Sequence, residues 1–249
     1  MSGHSKWHTI KHKKGAADAR RGKLFTRLIK EITVAARAGG GDPDANPRLR
    51  TVVNEAKAGN MPAENIKRAI RRGTGEEPGV SYEEVVYEGY GPGGAALIIE
   101  TLTDNKNRTV GEVRHILDKH NGKLGQPNSV ARLFAKRGQI IIEKAKADEE
   151  TLMAAALDAG ADDMQEDGDS WEILTAPDGF EAVREAIRKL KIEPVSAAVA
   201  MVPQSYVKLA GRDAQSMLKL MDALEDHDDV QHVWSNFDVE EKEIEASLA

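Results

Sequence analysis

The chain contains no cysteine. This absence excludes disulfide bonds, thiolate metal sites and a cysteine nucleophile, and it is typical of a reducing compartment. No apolar run approaches the length of about 20 residues that a membrane helix needs. Residues 1–14 are polar and basic, without the apolar segment of a secretory signal. We therefore expect a cytoplasmic protein that has no membrane partner.

Aromatic residues are also scarce, at 4% of the chain. The hydrophobic cores must therefore be built from Leu, Ile, Val, Met and Ala. With 249 residues the chain is longer than one typical domain. A usual domain size of about 100–200 residues predicts two or three of them.

Acidic and basic residues are distributed unevenly, although the net charge is only −6. Residues 1–72 hold 17 Lys and Arg against 6 Asp and Glu, whereas residues 73–249 hold 18 against 35. A basic block joined to an acidic remainder indicates the kind of partner rather than the fold. The pattern favours a polyanion bound at the N-terminal end.

The basic block reads as a tail followed by three short amphipathic helices. The first predicted helix spans Ala16 to Ala38, the second starts at Pro47 with Asn46 as its N-cap, and the third runs from Pro62 to Arg72 and is closed by Gly73. The first helix places apolar side chains on one face and cations on the other. We expect a small helical domain over residues 1–78.

The cations of the tail and of the first helix repel one another unless a counter-ion is present, and a nucleic-acid backbone would supply it. The predicted nucleic-acid-binding residues are Lys6, Trp7, Lys11, Lys13, Lys14, Arg20, Lys23, Arg27, Lys30 and Arg37. For Trp7 two interpretations stay open. It stacks on a base or inserts into a groove, or it packs on the helical bundle and fixes the tail.

The remainder of the chain predicts an α+β arrangement of two domains. Residues 136–204 follow the order βαββαβ, which is the ferredoxin-like motif. Residues 79–135 supply two strands and a helix, and residues 205–249 supply a further helix and strand. We predict that these two segments form one discontinuous α+β domain into which the ferredoxin-like domain is inserted. The helix after the second strand is expected to begin at Thr109, with Glu112 completing a capping box.

No pattern indicates catalysis or a cofactor. The run Gly89 to Gly94 matches G-x-G-x-x-G, but a strand follows it where a dinucleotide site needs a helix, so it is predicted to be a hairpin turn. The acidic run Glu225 to Asp229 is predicted to be a solvated turn, and the spaced histidines of the tail lack a further metal ligand. We expect a non-enzymatic monomer without metal, cofactor or small-molecule substrate.

Several motifs resemble the YebC/PmpR family along nearly the whole chain. They are GHSKW (Gly3–Trp7), RGKLFTRLIKEITVAAR (Arg21–Arg37), GGGDPDANPRLR (Gly39–Arg50), YEGYGPGG (Tyr87–Gly94), TDNKNRT (Thr103–Thr109), MVPQ (Met201–Gln204) and DALEDHDDVQHVWSNF (Asp222–Phe237). The resemblance implies three domains, one of them inserted in another. It also implies a cytoplasmic DNA-binding transcriptional regulator without catalytic residues or a cofactor.

Three functions remain open at the level of sequence. The first is the transcriptional regulator that binds DNA. The second is a ribosome-associated translation factor that binds rRNA, because other members of the family act as translational activators. The third is a protein–protein adaptor whose basic helices contact an acidic protein. Lys and Arg dominate the basic surface, and such residues position a nucleic acid rather than read its sequence.

Overall fold

The structure is a computed structural model that describes Trp7 and residues 17–247, with side chains from Gly22 onward and for Trp7. The predicted sites at Lys6, Lys11, Lys13 and Lys14, and the histidines of the tail, lie outside the described residues. The predicted α+β multidomain fold is confirmed. Among the residues that the structure describes, no helix combines the length and apolar character needed to span a bilayer.

The helical domain contains α1 (Ala17–Gly39), α2 (Pro47–Ala58) and α3 (Ala63–Thr74). The predicted N-cap of α2 is confirmed, because the side chain of Asn46 accepts a hydrogen bond from the backbone N–H of Leu49 at 3.1 Å. Side chains from all three helices form one apolar cluster, in which Ile32, Leu49 and Ala69 are buried.

The end of α3 differs from the prediction, because Gly73 does not close the helix but lies inside it. A Cβ atom at this position would come within 2.4 Å of the backbone oxygen of Thr33, so only glycine lets α3 lie this close to α1. The helix ends one residue later and is capped by Gly75, whose φ of 84° is the left-handed conformation that glycine adopts easily. The sequence could not distinguish these two uses of glycine.

The middle domain is built on a four-stranded antiparallel sheet. Its strands are β1 (Glu83–Tyr90), β2 (Ala96–Thr103), β3 (Lys123–Leu124) and, from the far end of the chain, β9 (Val230–Ser235), in the order β3-β1-β2-β9. The helices α4 (Lys106–Lys119) and α7 (Gly211–Glu225) contribute to the core against this sheet, and α8 (Glu241–Ser247) packs on α7. A small parallel pair joins β8 (Val207–Lys208) to β10 (Phe237–Asp238).

The third domain is inserted between β3 and β8. It runs through β4 (Phe134–Glu143), α5 (Glu149–Asp158), β5 (Asp163–Asp167), β6 (Ser170–Thr175), α6 (Phe180–Lys189) and β7 (Ser196–Pro203). The antiparallel order β5-β6-β4-β7 is that of a ferredoxin-like sheet, and α5 and α6 cover one face of it. The strand β4 starts before the predicted position, since Phe134 to Arg137 pair with the end of β7.

The start of α4 corrects a second prediction. Its N-cap is Asn105, whose side chain accepts a hydrogen bond from the N–H of Arg108 at 3.1 Å, and Thr109 is a fully buried residue of the first turns. The glycine-rich run between β1 and β2 is a tight connection in an antiparallel hairpin, as predicted.

Candidate nucleic-acid interface

Three cations of α1, Lys23, Arg27 and Lys30, lie against the middle domain. They contact the residues that link α7 to β9, Glu225–Asp229, which we call the acidic turn. Lys30 is only 7% exposed. Its Nζ lies 2.7 Å from Oδ1 of Asp229 and donates to the backbone oxygen of Asp228 at 2.9 Å. The prediction of a solvated turn is therefore wrong at Asp229, which is buried.

Asp229 is the centre of a charged network between the two domains. Its Oδ2 accepts hydrogen bonds from Nη2 of Arg108 at 2.7 Å and from the hydroxyl of Thr109 at 2.7 Å. Burial alone would raise the pKa of Asp229, but the hydrogen bonds from Lys30, Arg108 and Thr109 outweigh it and hold the pKa well below its usual value. Two cations thus share one buried carboxylate.

The outer part of the same face also contacts the acidic turn. Nζ of Lys23 lies 2.7 Å from Oδ1 of Asp226, and both side chains are partly exposed. The guanidinium of Arg27 donates a hydrogen bond to the backbone oxygen of Glu225. Burial lowers the pKa of Arg27, although the surrounding carboxylates, Glu225 first among them, act in the opposite direction. Three of the predicted phosphate ligands therefore already hold oxygen atoms of the protein.

Trp7 packs into the protein, which is the second of its two interpretations, but on a different domain. Its side chain is 2% exposed and belongs to the core cluster of the middle domain rather than to the helical bundle. Its indole N–H donates to Oε1 of Glu225 at 3.1 Å. Trp7 is thus bound to the acidic turn that also holds α1.

The remaining predicted residues of α1 have other positions. Arg37 is exposed, and its Nη1 donates to the hydroxyl of Ser81 at 2.6 Å, next to the first strand of the middle domain. For Arg20 the structure describes the backbone within α1 and no side chain.

A second group of cations, which the sequence reasoning passed over, lies on the outside of the helical domain. Its members are Arg50, Lys57, Lys67, Arg68 and Arg72, and all five are exposed. None of them forms an ion pair with a described residue, in contrast to Arg71, which is held by Glu64 and Glu77. The sequence of α3 contains a pattern that could have identified them. It places like charges four residues apart twice, in the pairs Lys67 with Arg71 and Arg68 with Arg72. We call Lys67, Arg68 and Arg72 the α3 cations.

The ferredoxin-like sheet lacks the features of an RNA-binding sheet. Such sheets stack bases on exposed aromatic side chains of their central strands. Here the two aromatic residues of the central strands β4 and β6, Phe134 and Trp171, are both buried. The face opposite α5 and α6 carries Glu172, which is buried and whose carboxylate accepts hydrogen bonds from the amides of Gln139 and Gln165. The central strands therefore offer no exposed aromatic side chain on which a base could stack.

A cleft of about 600 Å³ opens beside the network of Asp229. Glu112, His227 and Asp229 bring ligand-type atoms within 4.8 Å of one another there. Nδ1 of His227 accepts the backbone N–H of Asp229 at 3.1 Å, which leaves Nε2 to donate to Glu112 at 2.9 Å. Lys30 and Arg108 already neutralise Asp229, and His227 and Glu112 are joined by a hydrogen bond.

Two family models match the chain over almost all of its length. The model described as the N-terminal domain of the TACO1/YebC protein matches residues 5–76, and the one described as the TACO1/YebC second and third domain matches residues 82–237. The division between the two models falls in the segment that joins the helical domain to β1.

Curated relatives and a solved structure agree with these models. A probable transcriptional regulatory protein of Acidobacterium capsulatum is 60% identical over 243 residues, covering 98% of each chain. Another, from Geobacter sulfurreducens, is 58% identical over 245 residues, covering 98% of this chain and 99% of the relative. The crystal structure of a conserved hypothetical protein from Aquifex aeolicus superposes with a TM-score of 0.82 at 46% identity, covering 93% of this chain and 96% of that one.

Proposed function

The chain belongs to the TACO1/YebC family, and on that premise we propose that it is a non-enzymatic, DNA-binding transcriptional regulator of the cytoplasm. The site that we assign to DNA is the outer surface of the helical domain, and its centre is formed by the α3 cations. The names of the relatives favour a role in transcription. The surface itself indicates binding to a phosphate backbone.

The observation that carries this proposal is the lack of internal partners for the α3 cations. Lys67, Arg68 and Arg72 are exposed and close together on one short helix, and no described carboxylate forms an ion pair with them. Exposed like charges on neighbouring turns repel one another, so this arrangement is unfavourable until an anion binds. A phosphate backbone provides several anions at regular intervals and releases its condensed counter-ions when it is neutralised.

The chemistry of this surface favours binding with little sequence selectivity. Arg and Lys side chains that contact phosphates fix the position of a duplex but do not read its bases. The acidic middle and inserted domains are repelled by the same duplex, which directs it to the helical domain. Lys6, Lys11, Lys13, Lys14, Arg20 and Arg37 remain part of the proposal as further phosphate contacts.

The test compares the full-length protein with a variant that carries Lys67→Ala, Arg68→Ala and Arg72→Ala. Affinity for a short DNA duplex and for an RNA hairpin is measured between about 50 and 200 mM salt. We expect the variant to bind DNA more weakly and the slope of log affinity against log salt to fall by about 2 to 3, because each lost phosphate contact contributes about 0.9. The control carries Lys119→Ala, Lys189→Ala and Lys219→Ala, which removes three exposed cations outside the helical domain.

The outcomes separate the three functions. Binding to DNA that the control retains and the α3 variant loses supports the regulator. Binding to RNA alone, with the same loss, supports the rRNA-associated translation factor instead. An unchanged slope in the α3 variant would show that this surface does not bind the nucleic acid. Failure of the wild-type protein to bind either nucleic acid would leave the protein–protein adaptor.

A further inference from the structure

Trp7 apart, the helical domain contacts the acidic turn through charged and hydrogen-bonding groups of α1. Among the described residues, the buried apolar cluster of the helical domain and that of the middle domain share no member. On this side of α1 the two domains are joined by Lys23, Arg27 and Lys30, each of which contacts the acidic turn. These three residues are spaced four and three apart, so they form one row along the helix.

The partners of this row have the chemistry of a nucleic-acid backbone. Lys23 holds the carboxylate of Asp226, Arg27 holds a backbone oxygen, and Lys30 holds a carboxylate and a backbone oxygen. A row that spans seven residues of a helix is about 10 Å long, which is long enough to follow a chain of phosphates. The acidic turn therefore presents oxygen atoms to α1 in place of a phosphate chain.

We propose that the acidic turn is an internal competitor that occupies the cationic face of α1 until a nucleic acid displaces it. The inference rests on the proposed function and adds a form of regulation to it. In the closed state the exposed cations of the helical domain, with the α3 cations at their centre, are open to phosphate, whereas Lys23, Arg27 and Lys30 are held by the acidic turn. In the open state Lys23, Arg27 and Lys30 exchange the acidic turn for the nucleic acid, so the bound surface becomes larger.

Separation of α1 from the acidic turn is not prohibitively costly, because the charged groups of both regain water. Removal of one partner leaves a buried charge uncompensated, but separation of the two domains hydrates Lys30 and Asp229 together and avoids that penalty. The contact is also screened by salt at its exposed edge, where Lys23 and Asp226 lie. The domains are joined by the segment 75–81, which begins at Gly75 with a φ of 84° and contains a second glycine, Gly79.

The first test weakens the competitor without touching the cations. Asp226→Asn removes the partner of Lys23, and an exposed ion pair of this kind stabilises the closed state by a factor of about two to five. We expect the affinity of the full-length protein for the DNA duplex to rise by that factor. Asp118→Asn is the matched control, because it removes the same charge from an exposed position of the middle domain that forms no ion pair with a described residue.

The second test locks the closed state. Since the chain has no cysteine, Lys23→Cys with Asp226→Cys introduces only two thiols, which a short cleavable bismaleimide can join. We expect the cross-linked protein to bind DNA at least about fivefold more weakly than the same protein after cleavage of the linker, because the open state is no longer populated. The control pair is Arg137→Cys with Asp162→Cys, an ion pair of 2.8 Å within the inserted domain, and its cross-link should leave the affinity unchanged.

These results separate the inference from the proposed function. The competitor is disproved if cross-linking of positions 23 and 226 leaves DNA affinity unchanged, or if Asp226→Asn raises it no more than Asp118→Asn does. In both cases the proposed function stands as long as the α3 variant loses binding. If the wild-type protein and Asp226→Asn both fail to bind DNA and RNA, the proposed function fails and the competitor fails with it.

Discussion

The helical domain carries two groups of cations that look alike in the sequence and differ in the structure. Lys23, Arg27 and Lys30 of α1 face the middle domain and hold oxygen atoms of the acidic turn. The α3 cations face solvent and form no ion pair with a described residue. A charged helix face is therefore not a binding surface merely because it is charged. Whether such a face is available to a ligand depends on which anionic groups the rest of the fold places against it.

The contrast predicts opposite responses to mutation. Loss of Lys30 or of its carboxylate partner Asp229 should lower stability, because a buried charge remains without a counter-charge. Loss of an α3 cation should change nucleic-acid binding and leave stability within about 0.5 kcal/mol, which is usual for surface substitutions.

The largest effect is expected at the centre of the buried network. Asp229→Ala leaves Lys30 and Arg108 without their shared carboxylate, and we expect the free energy of unfolding to fall by about 3–5 kcal/mol in urea denaturation. Asp228→Ala is the control, since that side chain is exposed and should change stability by less than about 0.5 kcal/mol. Equal effects of the two variants would mean that the network does not stabilise the fold.

The next effect concerns the buried side chain of Trp7. Trp7→Ala removes a large side chain that is 2% exposed, and we expect a loss of about 3 kcal/mol in the free energy of unfolding. Trp7→Phe keeps most of the apolar contact but not the hydrogen bond to Glu225, so a loss of about 1 kcal/mol is expected. A Trp7→Ala protein as stable as the wild type would show that Trp7 is free to contact a base.

Acid should weaken the same network in the wild-type protein. The pKa of Asp229 is lower in the folded protein than in the unfolded chain. Its contribution to stability is therefore complete above the unfolded value of about 4 and is lost as the pH falls below it towards the folded value. Stability measured between pH 6 and pH 3 should decline less in Asp229→Asn than in the wild type. Parallel declines would contradict the assigned hydrogen bonds.

The smallest effect is expected at an exposed contact between the same two domains. Arg48 of α2 pairs with Glu84 of β1, and both side chains are about half exposed. Exposed pairs contribute about 0–1 kcal/mol, so Arg48→Ala should lower the free energy of unfolding by no more than that. A loss as large as that of Asp229→Ala would show that burial does not explain the difference between these contacts.

Much of the fold follows from local patterns. The N-cap at Asn46 and the hairpin at Gly91–Gly94 rest on contacts between near neighbours in sequence. The βαββαβ order of the inserted domain follows from the local pattern of each element, and these are the features that periodicity and turn chemistry indicate. The misplaced boundaries have a common cause. Gly73 and Thr109 have residue types that favour a helix end, but packing against Thr33 in one case and bonding to Asp229 in the other place them inside a helix.

Local sequence patterns could not predict which cations are paired within the protein and which are exposed. Lys30 and Asp229 are 199 positions apart, so no local pattern connects them. The run Glu225–Asp229 has the composition of a solvated turn, and only the fold shows that it lies against α1. Conversely, the α3 cations are interleaved with an apolar stripe. Their charges count towards the basic block of residues 1–72, but the sequence pattern marks this segment as a helix and not as a binding surface.

Lysine reactivity in the full-length protein tests the division of the cations most directly. Brief acetylation followed by mass spectrometry would compare Lys30 with Lys67 in the free protein and in the presence of the DNA duplex. We predict that Lys67 reacts readily in the free protein and is protected by DNA, whereas Lys30 reacts slowly in both states. The account is contradicted if Lys30 reacts as fast as Lys67 in the free protein. It is also contradicted if DNA binds and leaves the reactivity of Lys67 unchanged.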